Sequence, residues 1–399
     1  MTAAKNSKQR AVPRHGVLVA RSAKRNWLSL IWRGLAVLVA ASLVVVSYTA
    51  VSIGSQLKNG GIQLLDSNGN AVSTPTDFKG PINMLLVGSD TRAGQGGGFG
   101  HETSNLADVI ILLHVSADRK NAVAMSFPRD LMVPWPACPS TSGGSGYLPQ
   151  SLGQINATIA NGGPGCTLLT VESITGLTIP YLAMINFKGV IEMSNAVGGV
   201  TVCVANPIHD TYTHLDLEAG THTLQGVQAL QFLRTRHGVG DGSDLSRISN
   251  QQVFMSSLFR KIKSQGVLTN PIYLYSLANA AARNMTLSSN MTDLNVLVGL
   301  ASSLRKVDPD NMTFLQVPSA GGLPAPNQGR VALVQDKAQI LFDKLKADQP
   351  LVLAASNPGA GASATTAPTA SATPAASASS SALPDWVRGT KGSSSTCSN

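Results

Sequence analysis

Apolar runs alternate with glycine- and asparagine-rich breaks along most of this chain, and their two periods, two and about 3.6, divide it into strands and helices. The run Ile82–Val87 ends in glycine and predicts a buried strand that opens into a loop. Val109–Val115 and Ala122–Phe127 predict two more strands, joined by the polar hairpin-type connection Ser116–Asn121. Helical spacing then takes over. Helices are predicted over Gln154–Ala160, Thr167–Thr175 and Phe187–Ala196, with strands at Tyr181–Ile185 and Val200–Val204. Val227, Leu230 and Leu233 recur at helical spacing within Gly226–Arg234, and Ser243 or Asp244 can cap a longer helix to about Lys263. Helices at Ile272–Asn284, Thr292–Lys306 and Val334–Lys346 and a strand at Thr313–Val317 follow. This mixture predicts an α/β fold, a three-layer α/β/α domain with a central mixed sheet.

One segment departs from both periods. Gly34–Ile53 runs for about 20 residues without a charge, the length that crosses a bilayer as a helix. The expected organisation is a basic cytoplasmic tail (1–33), a transmembrane helix (34–54), an extracytoplasmic stalk (55–80) and the α/β domain (81–350). A final segment (351–399), dominated by Ala, Ser, Thr, Gly and Pro, predicts disorder. A cleaved signal peptide is the competing reading of the apolar segment, but such segments have cores of only about 7–15 residues. The expected location is therefore the cell membrane, single-pass, with the C-terminal domain outside.

Charge supports this topology. Of 30 basic residues, eight lie within the first 33 positions, where no acidic residue occurs, leaving 22 basic against 21 acidic in the remainder. A near-neutral body on a basic tail fits the positive-inside rule and argues against a nucleic-acid partner. Four cysteines allow three pairings. Cys138 and Cys166 flank a Gly/Ser-rich loop and a short helix and form the expected pair; Cys203 falls in a predicted strand and Cys397 in the tail.

The candidate chemistry lies at the ends of the apolar runs. Arginines and aspartates recur there: Asp90 and Arg92, Asp108, Arg129 and Asp130, Arg234 and Arg236, and Arg247 with Gln251 one helical turn on. Guanidinium groups bind phosphate oxygens as a bidentate fork, and paired carboxylates suit a hard cation. Each residue alone has a plainer explanation as a cap, a solvated loop or a helix-dipole partner, but capping does not explain the same two residue types at five separate element ends. Lys188 can approach a phosphate or simply begin a helix. The serines lack a nucleophile-elbow setting, and the histidines form no metal pair at helical spacing.

These residues resemble the LytR-CpsA-Psr family. The resemblance runs from about Ile82 to Ile262 and rests on Leu85-Leu86-Val87-Gly88-Ser89-Asp90-Thr91-Arg92, Ala107-Asp108, Ser126-Phe127-Pro128-Arg129-Asp130, Arg234-Thr235-Arg236-His237 and Asp244-x-x-Arg247. The tail composition resembles the actinobacterial branch. What the resemblance implies is a phosphotransferase that moves a glycopolymer, arabinogalactan-like or teichoic-acid-like, from a polyprenyl-pyrophosphate carrier to peptidoglycan. An apolar tunnel would hold the prenyl chain. Asp90 and Asp108 would hold Mg2+, with Mn2+ as the alternative, and Arg92, Arg129, Arg234, Arg236, Arg247 and Gln251 would contact phosphate. Asp90, Arg92, Arg129 and Arg236 would be catalytic, and Asp130 would orient Arg129. The chain departs from the family pattern at Asn250, where many relatives have an arginine, at Glu192, where aspartate is frequent, and at Thr221, where some relatives have a cysteine, which leaves the partner of Cys203 open. Two other readings compete: a non-catalytic polyprenyl-phosphate scaffold, and a DNA-binding regulator, which the neutral body and exported topology disfavour.

Overall fold

The computed structural model describes residues 27, 29–37, 55, 61–72, 78–91, 105–140, 146–264, 271–364 and 383–399. The chain divides into two compact units, Met1–Ser52 and Ile53–Asn399. In the first, residues 29–37 are helical and exposed, and most of the expected transmembrane segment lies outside the described residues. Among the described residues no helix is long and apolar enough to cross a membrane.

The second unit is built on a seven-stranded mixed sheet. The chain order of its elements is β1 (Ile82–Ser89), β2 (Ala107–Val115), β3 (Ala122–Phe127), β4 (Leu131–Trp135), β5 (Gln150–Gln154), α1 (Thr158–Thr175), β6 (Tyr181–Ile185), α2 (Phe187–Ala196) and β7 (Val200–Val204). There follow β8 (Ile208–Asp210), β9 (Leu215–Leu217), β10 (Gly220–Leu224), α3 (Val227–Arg234), α4 (Asp244–Ser264), α5 (Pro271–Asn284), β11 (Met285–Leu287) and α6 (Leu294–Lys306). Last come β12 (Met312–Gln316), β13 (Ser319–Ala320), β14 (Val331–Leu333), α7 (Gln335–Lys346), β15 (Ala362–Ala364), β16 (Gly389–Lys391) and β17 (Thr396–Ser398). The central sheet runs β11-β6-β1-β2-β3-β12-β16. β1 pairs antiparallel with β2 and parallel with β6, and β3 pairs antiparallel with β2 and parallel with β12.

Period-two alternation assigns each strand residue to a face. Leu85, Val87, Ile110, Leu112, Val123 and Met125 pack under α1 and α7 through Leu168, Val171, Leu341 and Phe342. Met84, Ile111, Leu113, Ala122 and Ala124 face the other way, toward Val296 and Leu300 of α6 and Met255 and Phe259 of α4. Helices thus cover both faces, which is why β3 is buried along its whole length. A third cluster joins β7–β10 to α3 and α4 through Val200, Val202, Phe232, Val253 and Phe254.

Several sequence expectations are corrected here. The predicted helix Gln154–Ala160 is in fact the end of β5, a 3-10 turn at Ile155–Ala157 and the start of α1. Helix α1 continues to Thr175 through a break at Gly162 and Gly163. A Cβ at Gly162 would sit 2.6 Å from Cys166 Cβ, so glycine there admits the Cys138–Cys166 disulfide. That pairing is as expected.

The stalk does not stand off. Leu64 is buried, Ile62 bridges to Ser288, and Phe78 stacks on Tyr181 at 6.3 Å between centroids. Nor is the C-terminal segment disordered where it is described. Leu351, Leu353, Leu383 and Val387 are buried, β16 extends the central sheet beside β12, and β17 lies parallel to β7. Cys397 lies opposite Cys203 in that register and closes the second disulfide. Composition misled because these short strands borrow their backbone partners from the body and need few apolar side chains of their own.

Candidate functional site

Strands β1 and β2 end together. Ser89 pairs with Ala107, so Asp90, just past the end of β1, and Asp108, the second residue of β2, lie at the same end of the sheet. Asp90 donates its amide to Leu106 O at 3.1 Å, and its Oδ1 accepts the Leu106 amide at 2.7 Å, which closes the base of the intervening loop. Asp108 Oδ1 takes an ion pair from Arg129 Nη1 at 2.7 Å. The Asp108 carbonyl accepts Arg247 Nη2 at 3.0 Å.

Arg129 follows β3, the neighbour of β2, and sits among three carboxylates. Besides Asp108, its Nε lies 3.7 Å from Asp130 and 3.6 Å from Asp244, and its amide donates to Asp244 Oδ2 at 3.2 Å. Burial alone would lower its pKa; Asp108, Asp244 and Asp130 outweigh burial and raise it. Asp244 is buried at the first turn of α4, with Arg247 Nη2 at 2.5 Å. Burial pushes its carboxyl up, against the pull of Arg247 and Arg129. Arg129 Nε, Arg247 Nε and Asp244 Oδ1 make no aligned hydrogen bond, so these contacts are ionic and leave buried donors aimed at no acceptor. Asp130 serves Arg330 at 2.8 Å and Gln154 at 2.6 Å as well as Arg129, and so ties the arginine to β5.

Beside this cluster lies a cavity of ≈ 360 Å³ with an almost wholly apolar lining. Its charged lining residues, Asp108, Arg234 and Arg247, lie at one end; Asn186 and Ser194 also contribute to the lining. Ser89 ends β1, Asp108 is the second residue of β2, and Arg247 and Gln251 share the face of the first turns of α4. The lining continues along α4 through Phe254 and Leu258 to Ile262, about 22 Å from Arg247 at 1.5 Å per residue. Arg234, in the last turn of α3, completes the polar end with its guanidinium over the Phe187 ring, 4.4 Å from the centroid. Gln251 is oriented by donating Nε2 to Leu233 O at 3.0 Å.

The structure thus brings Asp108, Arg129, Arg234, Arg247 and Gln251 together and sets Asp90 at the same sheet end. Arg92 lies outside the described residues. Lys188 is exposed on α2 and does not line the cavity. Arg236 also stays out of the lining; it is half-buried, with Nη2 3.5 Å from His237 Nε2. Asn250, where many relatives have an arginine, is a buried strut that donates to Phe232 O at 2.7 Å and accepts from the Ser398 hydroxyl. Ser243 supplies the cap of α4, its Oγ accepting the Ser246 amide at 3.2 Å.

Sequence reasoning missed Asp210. This buried carboxylate accepts from the Thr235 hydroxyl (2.5 Å) and from the amides of Arg236 (3.1 Å), His237 (3.3 Å), Tyr212 (2.9 Å) and Thr213 (3.3 Å). Burial would raise its pKa, but these hydrogen bonds hold it down to about 2. The local part of this pattern, Asp210 with the Tyr212 and Thr213 amides, reads as an ordinary turn; the partners that distinguish it, Thr235, Arg236 and His237, lie 25 to 27 residues away.

An apolar chamber with arginines at one end thus lies beside the ends of the central strands of an α/β sheet. The chain belongs to the LytR_cpsA_psr family, whose profile matches residues 48–347. It is 27% identical over 318 residues to the cell wall biosynthesis protein LcpA of Corynebacterium glutamicum, covering 72% of this chain and 60% of that protein. It is also 27% identical over 308 residues to the polyisoprenyl-teichoic acid–peptidoglycan teichoic acid transferase TagT of Bacillus subtilis, covering 74% of this chain and 88% of that protein. A LytR-Csp2A-Psr enzyme structure from Actinomyces oris superposes with a TM-score of 0.52 at 25% identity, covering 72% of this chain and 95% of that one. The chain spans only about three-fifths of the length of LcpA.

Proposed function

We propose that this protein is a phosphotransferase that joins a glycopolymer, delivered on a polyprenyl-pyrophosphate carrier, to peptidoglycan through a phosphodiester bond outside the membrane. The carrying observation is the ≈ 360 Å³ apolar cavity that ends among Asp108, Arg234, Arg247 and Gln251. A long apolar tail joined to a pyrophosphate matches that division of chemistry, and the name of TagT supplies the polymer and acceptor classes.

In this reading Arg234, Arg247 and Arg236, with Arg92, grip the pyrophosphate, while Arg129, held by three carboxylates, faces the transferring phosphate. An acceptor hydroxyl oxygen bonds to the sugar-proximal phosphorus as the bond from that phosphorus to the bridging oxygen breaks. Prenyl phosphate leaves with the bridging oxygen, and the hydroxyl proton is released. The arginines offset the charge that accumulates on the leaving and equatorial oxygens.

The metal expectation is consistent with the donors present. Among the described residues no three or more His, Cys, Asp or Glu side chains gather into a cage. Mg2+ commonly takes one or two carboxylates and completes its shell with substrate phosphate and water, so Asp90 and Asp108 at one sheet end suit it, and the same oxygens accept Mn2+. When bound, the ion supplies neutralisation of the phosphate charge.

The test is transfer from a synthetic prenyl-pyrophosphate glycan to peptidoglycan in the presence of Mg2+, following prenyl phosphate release and label entering the wall polymer. Arg236→Ala is the cleanest variant, because the Arg236 side chain is outside the carboxylate network and its loss leaves no buried charge behind. A loss on the order of 100-fold is expected with the fold unchanged. Tight lipid binding by folded wild-type protein with no release at any Mg2+ concentration would replace this reading with a lipid-binding scaffold.

A further inference from the structure

Strands β8 and β9 form a small hairpin whose turn carries Tyr212, 75% exposed. An exposed tyrosine on a surface turn is ordinarily free to swing, but this one is fixed from both sides. Asp210 holds the Tyr212 and Thr213 amides with one carboxylate oxygen and the Arg236 and His237 amides with the other. A single buried side chain therefore sets the distance between the turn and the arginine. On the far side of the turn, Gln231 of α3 donates Nε2 to His214 O at 3.2 Å. The ring itself lies on His237, with centroids 4.2 Å apart and planes at 31°. One ring face is backed and the other is open.

We propose that Tyr212 is the stacking platform for the carrier-proximal sugar of the glycan; this rests on the glycopolymer reading above. The direction follows from the chain. Arg234 lines the cavity, Thr235 is buried, and Arg236 is two residues on and outside the lining. With the prenyl chain running along α4 toward Ile262, the sugar end of the pyrophosphate leaves past Arg236, where Tyr212 and His237 stand. A pyranose offers a face of weakly positive C–H groups, which the negative face of an aromatic ring attracts. A ring already fixed in place loses little conformational entropy on binding.

The experiment uses the full chain in detergent micelles and isothermal titration with two ligands: farnesyl pyrophosphate, and the same lipid esterified through its terminal phosphate to one hexose. Wild type should bind the hexose-bearing lipid more tightly. Tyr212→Ala should weaken that ligand about 2- to 10-fold while leaving farnesyl pyrophosphate within about 2-fold, and Tyr212→Trp should keep the preference. An unchanged preference in Tyr212→Ala, or an equal loss on both ligands, overturns the platform. Wild type that binds farnesyl pyrophosphate with no preference for the sugar also overturns it and leaves the lipid site standing. Wild type that binds neither ligand overturns the glycopolymer reading and the platform with it.

Discussion

Replacing Asp210 by Asn isolates the group that organises the rim of the site. Its folded pKa is held at about 2 against an ordinary 3.8. At about 1.4 kcal/mol per pH unit, that depression corresponds to about 2 kcal/mol of stability. The carboxylate is favoured in the folded state, so the contribution is fully present above pH 3.8 and is lost as the pH falls toward 2; about half should be gone at pH 3. Asparagine keeps one acceptor oxygen but turns an NH2 toward the Arg236 and His237 amides, which adds the cost of unpaired buried donors, about 1–3 kcal/mol. Urea unfolding followed by tryptophan fluorescence should therefore show Asp210→Asn less stable than wild type by at least about 2 kcal/mol at pH 7. The gap should narrow by about 1 kcal/mol at pH 3, because wild type loses its charge term and the variant has none to lose. An equal gap at both pH values would refute the assignment of that stability to the ionised carboxylate.

Asp244→Ala leaves Arg129 and Arg247 facing each other across a buried gap that the carboxylate had compensated, and should cost about 3–5 kcal/mol in urea unfolding; a midpoint near wild type would show that solvent screens the cluster. Cys397→Ser opens a disulfide that closes 194 residues of sequence separation and releases β17 from β7, at a cost of about 2–5 kcal/mol. Thermal unfolding with and without reductant checks this: the variant should unfold below wild type without reductant and coincide with it in reductant, where both disulfides are open in both proteins, and no difference without reductant would mean the bond does not anchor the C-terminal strand. The loss of transfer in Arg236→Ala and the ligand-selective loss in Tyr212→Ala test the site from its two ends.

Much of the site was legible because its residues sit where element periodicity stops. Gly88-Ser89-Asp90 and Ala107-Asp108 mark the ends of two antiparallel strands, and register then brings the carboxylates to one end of the sheet. Arg247 and Gln251 share a helical face by spacing alone. The ion-pair partners of Arg129 were less visible: Asp244 reads as a helix-start residue, and only packing turns it toward an arginine more than 100 residues earlier.

What the sequence determined by itself was local or periodic: the strands and most helices, the family, the arginines and aspartates at element ends, and the Cys138–Cys166 pair. What only the tertiary structure decided was long-range. It seated Leu64 and the C-terminal strands on the body, paired Cys203 with Cys397, made Asn250 a strut, and made Asp210 the hub that holds Tyr212 beside Arg236. Side-chain periodicity is set within a few residues by backbone geometry, whereas a lone polar residue or a short poorly apolar strand acquires its role from partners that chain order does not reveal.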